Sequence, residues 1–320
     1  MTKPTSTIPL DLSADTRIGI AVSGGPDSLA LLLLAHAARP GIVHAATVDH
    51  ALRPESATEA EAVAAICADR GIPHVILRAD WQPSPRLGLQ AQARAHRYRL
   101  LDTWCQAEAI PLLLTAHHRD DQAETLLMRL ARGSGLAGLA GVRERRPLHP
   151  GSPVTLFRPL LHIAKADLVT YVAAHGLTAI DDPSNRAARH DRTHARALMA
   201  ETPWLDPARL AATARHLADA ETALLWVVAR ESEARIERMP DASLLRAPEE
   251  LPDELLRRLV LRCLSHPDDR PPPRGMDIKQ LILLLKSNKC ATLGTTLVRP
   301  VPDGWRFEKA PPRRPTRNTH

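Results

Sequence analysis

A chain of 320 residues that is 44% hydrophobic can bury two or three cores, which excludes a disordered segment or a single minimal domain. Its +6 formal charge rests on arginine, with only six lysines among 42 basic residues; the planar guanidinium suits phosphates and bases and points to a polyanionic partner, although codon bias in a GC-rich genome would give the same excess. Cys67, Cys105, Cys263 and Cys290 form no C-x-x-C pair, the N-terminus has no apolar signal core, and the longest apolar run, residues 29–34, is far short of a ~20-residue membrane span, so zinc-ribbon, dithiol and membrane classes are excluded and a soluble cytoplasmic protein is expected.

Residues 17–22 read as a strand, followed by a glycine-rich loop and a helix through 29–36. Residues 42–49 form a second strand, and Ser56-x-x-Glu59 after Pro54 is a capping box opening a helix to about residue 70. Strand 74–79, helix 89–108, strand 111–116 and helix 120–132 follow. The alternation predicts an α/β fold: an open parallel sheet with helices on both faces and every strand C-terminus on one edge, where ligands of such sheets bind. Residues 133–141 read as a glycine-rich loop, 143–153 as a basic Pro-rich stretch, 154–157 as a strand and 163–175 as a helix. Beyond residue 206 the pattern becomes mostly helical (208–238, 252–264, 277–285), with a Pro271-Pro272-Pro273 linker, a small C-terminal hairpin from 292–298 and 305–308, and a basic tail. The expected division is 1–204, 205–270, 271–309 and a disordered 310–320.

Ser23-Gly24-Gly25-Pro26-Asp27-Ser28 lies between the first strand and a helix N-terminus. Glycines there let backbone N–H groups close on an anion, the helix dipole adds attraction, and the serines add hydroxyl donors. The loop lacks the lysine of a G-x-x-x-x-G-K-[ST] loop. Asp27 is awkward beside bare phosphate and makes sense if it holds Mg²⁺; a Gly-Pro-Asp turn with serine caps is the plainer alternative. The hexapeptide resembles the SGGxDS signature of the PP-loop ATP pyrophosphatases, whose adenine nucleotide alpha-hydrolase-like fold, ATP cleavage between the α- and β-phosphates and AMP transfer to a substrate oxygen are what the resemblance implies.

Residues 115–125 read Thr-Ala-His-His-Arg-Asp-Asp-Gln-Ala-Glu-Thr. Asp121 and Glu124 are three apart and share a helix face, and His117 reaches the same space from the strand end. Carboxylates in a first turn also complement the helix dipole, but that leaves the paired histidines unexplained. This block and the following Arg-Gly-Ser-Gly stretch resemble the tRNA(Ile)-lysidine synthetase family. So do residues 48–56 (VDHALRPES), 93–98 (ARAHRY), 158–161 (RPLL) and 182–185 (DPSN), with a weaker echo between Leu293 and Trp305. The resemblance covers roughly residues 16–200. The family's RNxxR segment reads here Arg192-Thr193-His194-Ala195-Arg196, keeping the arginines and losing the asparagine. The chain is shorter than the longer members, so tRNA contacts from their larger C-terminal region are expected to be absent or replaced.

The resemblance implies a ligase that adenylates C2 of the cytidine at the first anticodon position of tRNA(Ile) with a CAU anticodon, then lets L-lysine displace AMP to give lysidine. ATP and Mg²⁺ are the implied cofactors. The implied site comprises Ser23, Gly24, Gly25, Pro26, Asp27 and Ser28 for ATP, with Asp27 on the metal, and Asp27, His117, Asp121 and Glu124 as catalytic groups. Arg94, Arg97, Arg192 and Arg196 are candidates for tRNA-phosphate or α-phosphate contacts. How His117, Asp121 and Glu124 divide proton transfer, ammonium binding and metal binding stays open, as does a homodimer. The alternative is a PP-loop tRNA thiolase modifying a cytidine or uridine; such enzymes usually carry a C-x-x-C pair or a dedicated cysteine, and an RNA-binding adaptor with a relict ATP fold would have lost Asp27, Asp121 or Glu124.

Overall fold

Strand β1 (Ile18–Ala21) is the hub of the first unit. Its Ile18 pairs with Val43 of β2 (Val43–Asp49) on one side and with Leu112 of β4 (Leu112–Leu114) on the other, both in parallel register. With β3 (His74–Arg78), β6 (Thr155–Phe157) and β5 (Arg145–Pro147) the sheet order is β3-β2-β1-β4-β6-β5, parallel except for the antiparallel edge strand β5. The computed structural model describes residues 16–49, 55–78, 88–180, 191–265 and 278–311. The expected features at 50–54, 182–185, 271–273 and 312–320 lie outside those residues. The chain divides into two compact units, residues 1–219 and 220–320.

Side-chain alternation along β1 explains why the sheet is covered twice. Ile18 and Ile20 are fully buried with Leu29, Leu32 and Ala35 of α1 (Pro26–Ala38), Val63 of α2 (Glu55–Ala68) and Leu168 and Val172 of α6 (Lys165–Ala174). Gly19 points the other way, where a Cβ would come within 3.0 Å of the Trp104 ring. That ring belongs to α3 (Leu89–Ala107), whose Leu101, Trp104 and Cys105 build the opposite core with Leu113 and Leu156. Helix α1 buries every residue from Ser28 to Ala35, which is why this stretch is apolar all round; each buried leucine contributes about 2 kcal/mol.

The remaining helices of this unit are α4 (Arg119–Ala131), α5 (Leu136–Leu139) and α7 (Asp191–Glu201). Three local expectations change. The glycine-rich loop holds the single turn α5, and the basic Pro-rich stretch supplies β5. Helix α2 begins at Glu55, so Ser56 lies inside its first turn and its hydroxyl donates to Asp49 Oδ1 at 2.6 Å.

The unit boundary falls within α8 (Pro207–Arg235). In the second unit, strands β7 (Ile236–Met239), β8 (Ala242–Arg246), β9 (Ala291–Leu293), β10 (Thr296–Val301) and β11 (Gly304–Lys309) form an antiparallel sheet of order β7-β8-β11-β10-β9. Leu245, Val298 and Phe307 pack with Leu256, Leu259 and Val260 of α9 (Asp253–Leu264) and Leu281 and Leu285 of α10 (Ile278–Lys286). The expected hairpin is therefore the β10–β11 part of a five-stranded sheet, and the helix expected through 238 ends at Arg235, where residues 236–239 turn to pair with β8. Gly304 (φ +147°) must be glycine, because a Cβ would meet the Leu245 carbonyl oxygen at 1.9 Å. Arg258 grips Glu221 with two hydrogen bonds of 2.8 and 2.7 Å, both side chains buried; removing one partner of such a pair costs about 3–5 kcal/mol.

Candidate active site

The chain leaves β1 towards β2 and β3 on one side and returns to β4 on the other, so a topological switch point lies between β1 and β4. Crevices at such points, beyond the strand C-termini, are where α/β sheets hold ligands. Here the loop after β1 carries Ser23–Ser28 and the segment after β4 carries His117 and His118.

The first loop is held by its own serines. The Ser23 N–H donates to Ser28 Oγ at 3.1 Å, the Ser28 hydroxyl donates to the Gly25 carbonyl at 3.0 Å, and the two hydroxyl oxygens lie 3.2 Å apart. Gly24 has φ +82°, its carbonyl accepts the Ile180 N–H at 3.0 Å, and a Cβ would come to 2.4 Å from Ile180 Cδ1. Gly25 is the N-cap of α1 and Pro26 opens the helix, where its missing N–H costs nothing. Asp27 in that first turn has Oδ2 3.5 Å from His118 Nε2, while its buried Oδ1 has no hydrogen-bond partner.

His118, the N-cap of α4, is the centre of the second loop. Its buried ring lies within 3.5–3.7 Å of Asp27, Asp120 and Asp121, and the His118 backbone N–H donates to Asp121 Oδ2 at 3.0 Å. Burial alone would lower its pKa; the carboxylates of Asp120, Asp27 and Asp121 gathered around it outweigh that and raise it to about 9, so the ring is an imidazolium at neutral pH. Asp120 is held down at about 2, first by His118, against burial, and then by the Lys165 N–H at the start of α6, 2.9 Å away. The N-termini of α1, α4 and α6 thus meet one carboxylate–imidazolium cluster, which suits their dipoles.

His117 faces elsewhere. It touches Thr115 Oγ1 through Nδ1 at 3.2 Å and lines a cavity of about 460 Å³ with seven arginines: Arg94, Arg129, Arg132, Arg143, Arg146, Arg158 and Arg192. Burial, partly offset by Asp121 and reinforced by Arg158, Arg94 and Arg192, lowers its pKa to about 3, so this ring is neutral. Arg158 is buried, donates to the Arg143 carbonyl, and keeps a buried Nε without a partner. Arg94 and Arg97 lie 5.0 and 5.3 Å from the centre of the Tyr98 ring.

Helix α7 brings the last pieces. Arg196 hydrogen-bonds Glu124 through Nε and, at 3.4 Å, through a terminal nitrogen. Arg192 lies 3.8 Å from Asp121 Oδ1.

A family model described as a PP-loop domain matches residues 3–202. The tRNA(Ile)-lysidine synthase of Zymomonas mobilis is 43% identical over 299 residues, spanning 93% of this chain and 90% of that one. The chain belongs to the tRNA(Ile)-lysidine synthase family. The family's member from Novosphingobium aromaticivorans is 42% identical over 306 residues, 96% of this chain and 93% of that one. Among solved structures, the U34-tRNA thiolase NcsA of Methanococcus maripaludis, with its 4Fe-4S cluster, aligns with TM-score 0.55 at 18% identity over 70% of this chain and 77% of that one, a likeness of fold alone.

Of the residues that the family resemblance singles out, Asp27, Asp121 and the Ser23–Ser28 loop meet around His118, and Glu124 follows on the buried face of α4 with Arg196 on it. His117, Arg94 and Arg192 share the arginine cavity, while Arg97 is not among its lining residues. Sequence reasoning passed over His118, Asp120 and Arg158. His118 and Asp120 stand in the 115–125 block and Arg158 opens the 158–161 stretch, both of which carry the family resemblance, but nothing in their spacing assigned them a role. Among the described residues no helix is long and apolar enough to cross a membrane.

Proposed function

We propose that this chain uses ATP to join L-lysine to C2 of the cytidine at the first anticodon position of tRNA(Ile) with a CAU anticodon, giving lysidine and changing decoding from AUG to AUA. The observation that carries this reading, beside family membership, is the meeting of the Ser23–Ser28 loop, the Asp27/Asp121/Glu124 acids and an arginine-lined cavity at one switch point. Catalysis is assigned to residues 1–204 and contacts with the tRNA body to residues 205–270, in the cytoplasm where tRNA works.

The chemistry asks for two things. A cytosine carbonyl oxygen leaves badly until it is esterified to AMP, and the amine that displaces AMP must first lose a proton. The loop's N–H groups and the α1 N-terminus suit a triphosphate. Asp27 fits Mg²⁺: one oxygen faces an imidazolium and the other is buried without a partner, and this ion characteristically binds one or two carboxylates plus substrate phosphates. When bound, the ion neutralises phosphate charge. The His118 imidazolium holds Asp27 and Asp121 in place by charge. Asp121 and Glu124 suit the lysine ammonium. His117, neutral among arginines, suits hydrogen bonding to the uncharged base rather than storing a proton.

No observation favours sulfur transfer. Cys67, Cys105 and Cys263 are buried, and burial pushes their thiols up to about 11, 12 and 12, the opposite of an activated thiolate. The test is ATP-dependent incorporation of labelled lysine into tRNA bearing CAU. Incorporation is expected with that tRNA and absent when the anticodon begins with another base; sulfur transfer without lysine transfer rejects the reading.

A further inference from the structure

The carboxylates that suit an incoming ammonium already hold cations from their own chain. Glu124 is 1% exposed, and the Arg196 side chain on it is 39% exposed, so the guanidinium is on the solvent side of the pair. The same guanidinium feels the charges of Asp121 and Asp27, and Arg192, one helical turn earlier, takes the Oδ1 side of Asp121. A free ammonium approaching Asp121 and Glu124 therefore meets two positive groups and occupied acceptors.

What could move them is next door. Helix α7 is fastened to α4 and its C-terminal end by Arg132–Asp191, Arg192–Asp121 and Arg196–Glu124. Arg132 and Arg192 also line the arginine cavity. A phosphate in that cavity competes for one arginine from each of two fastenings, because a phosphodiester offers a guanidinium a bidentate partner. Of the three ion pairs, Arg196–Glu124 is then the one left to fasten α7 to α4.

Resting on the lysidine reading above, we infer that Arg192 and Arg196 are an internal stand-in for the lysine ammonium: RNA phosphate in the adjoining cavity draws off Arg192, which leaves Arg196 to yield Glu124 as α7 loosens, so that lysine is admitted only after RNA is seated. The nucleophile then stays out until the base it must attack has arrived. By linkage, lysine tightens RNA binding by the same factor that RNA tightens lysine, and the free protein binds lysine weakly because the open state is a minor one.

The experiment is calorimetric titration of L-lysine into the full chain, with and without an anticodon stem–loop RNA carrying CAU. In the unmodified protein the RNA is expected to tighten lysine by about tenfold or more. Arg196→Gln is expected to bind lysine without RNA about as tightly as the unmodified protein does with it, and to gain little from RNA. Arg196→Lys keeps a cation on Glu124 and is expected to restore the RNA dependence, which a merely structural role for Arg196 does not predict. Unchanged lysine affinity in Arg196→Gln, or no effect of RNA on the unmodified protein, overturns the inference. So does a gain for Mg²⁺ titrated alone without a gain for lysine, since the seat is then a metal's. If Arg196→Gln loses its native circular dichroism, Arg192→Gln carries the same test through Asp121, with the same overturning result. Labelled-lysine transfer by the unmodified protein separates the two failures: transfer with RNA-independent lysine affinity rejects only the stand-in, while no transfer rejects the functional reading itself.

Discussion

Asp27 is a carboxylate with two unlike oxygens. Oδ2 lies against the His118 imidazolium, whereas Oδ1 is buried and unpartnered, a condition that costs about 1–3 kcal/mol or more for a charged group unless a ligand answers it. If Mg²⁺ and ATP phosphates answer it, Asp27→Asn keeps the shape and loses the charge. Single-turnover adenylation should then slow by ~10²-fold or more, and an unchanged rate removes Asp27 from the phosphate site. The loop was legible because glycine and serine at a strand–helix junction have one strong physical use, and Asp27 stood out by its charge. The division between His117 and His118 was not legible. The two adjacent imidazoles have different neighbours, and only the chain's path from Leu114 to Arg119 decides that His118 meets the carboxylates and His117 the arginines.

Elements show the same split between local signals and partners far away in sequence. The strand–helix alternation of the first unit was readable because each strand is a short apolar run and α1 is apolar all round. Strand β5 was hidden because an edge strand needs only one pairing face and tolerates Arg145, Arg146 and Pro147. The end of α8 was hidden because residues 230–239 contain no glycine or proline. Arg235 is held there by Glu231, Glu250 and the Ala247 carbonyl, partners that the local sequence does not announce.

A further tie between elements can be tested by pH. Asp102 on α3 accepts hydrogen bonds from Ser152 Oγ (2.5 Å), Gln106 Nε2 (2.6 Å) and His149 Nε2 (3.0 Å), fastening α3 to the turn before β6. Burial would raise its pKa, but the bonds from Ser152, His149 and Gln106 prevail and lower it. A carboxylate depressed in the folded state stabilises the fold above its unfolded value of ~3.9, and that stability is lost as pH falls through the folded value. Asp102→Asn should therefore melt below the unmodified protein at pH 7, with the gap closing in melts taken progressively below pH ~3.9. A gap of constant size across that range means that the charge of Asp102 contributes nothing.

On the scale of the whole molecule, net charge says less than where the charge is spent. In the second unit Arg246 pairs with Glu237, Arg257 and Arg258 with Glu254, Arg258 also with Glu221, and Arg299 and Arg306 with Glu308. In the first unit seven arginines converge on one cavity, and burial, with neighbouring arginines adding to it, lowers the pKa of both Arg94 and Arg158. Composition reports the sum of these two arrangements and cannot separate them. Crowded like charges at a cavity wall store repulsion that a polyanion relieves, and each phosphate contact releases counterions, giving a salt slope of about 0.7 per contact for single-stranded nucleic acid and about 0.9 for a duplex. Arg192→Ala should lower the slope of log affinity for tRNA against log salt by about that amount for one lost contact, measured by filter binding across a salt series. Arg299→Ala, whose guanidinium already sits 3.0 Å from Glu308, should leave the slope unchanged. Equal slopes for Arg192→Ala and the unmodified protein would move the RNA phosphates away from the cavity and take with them the reason for its seven arginines.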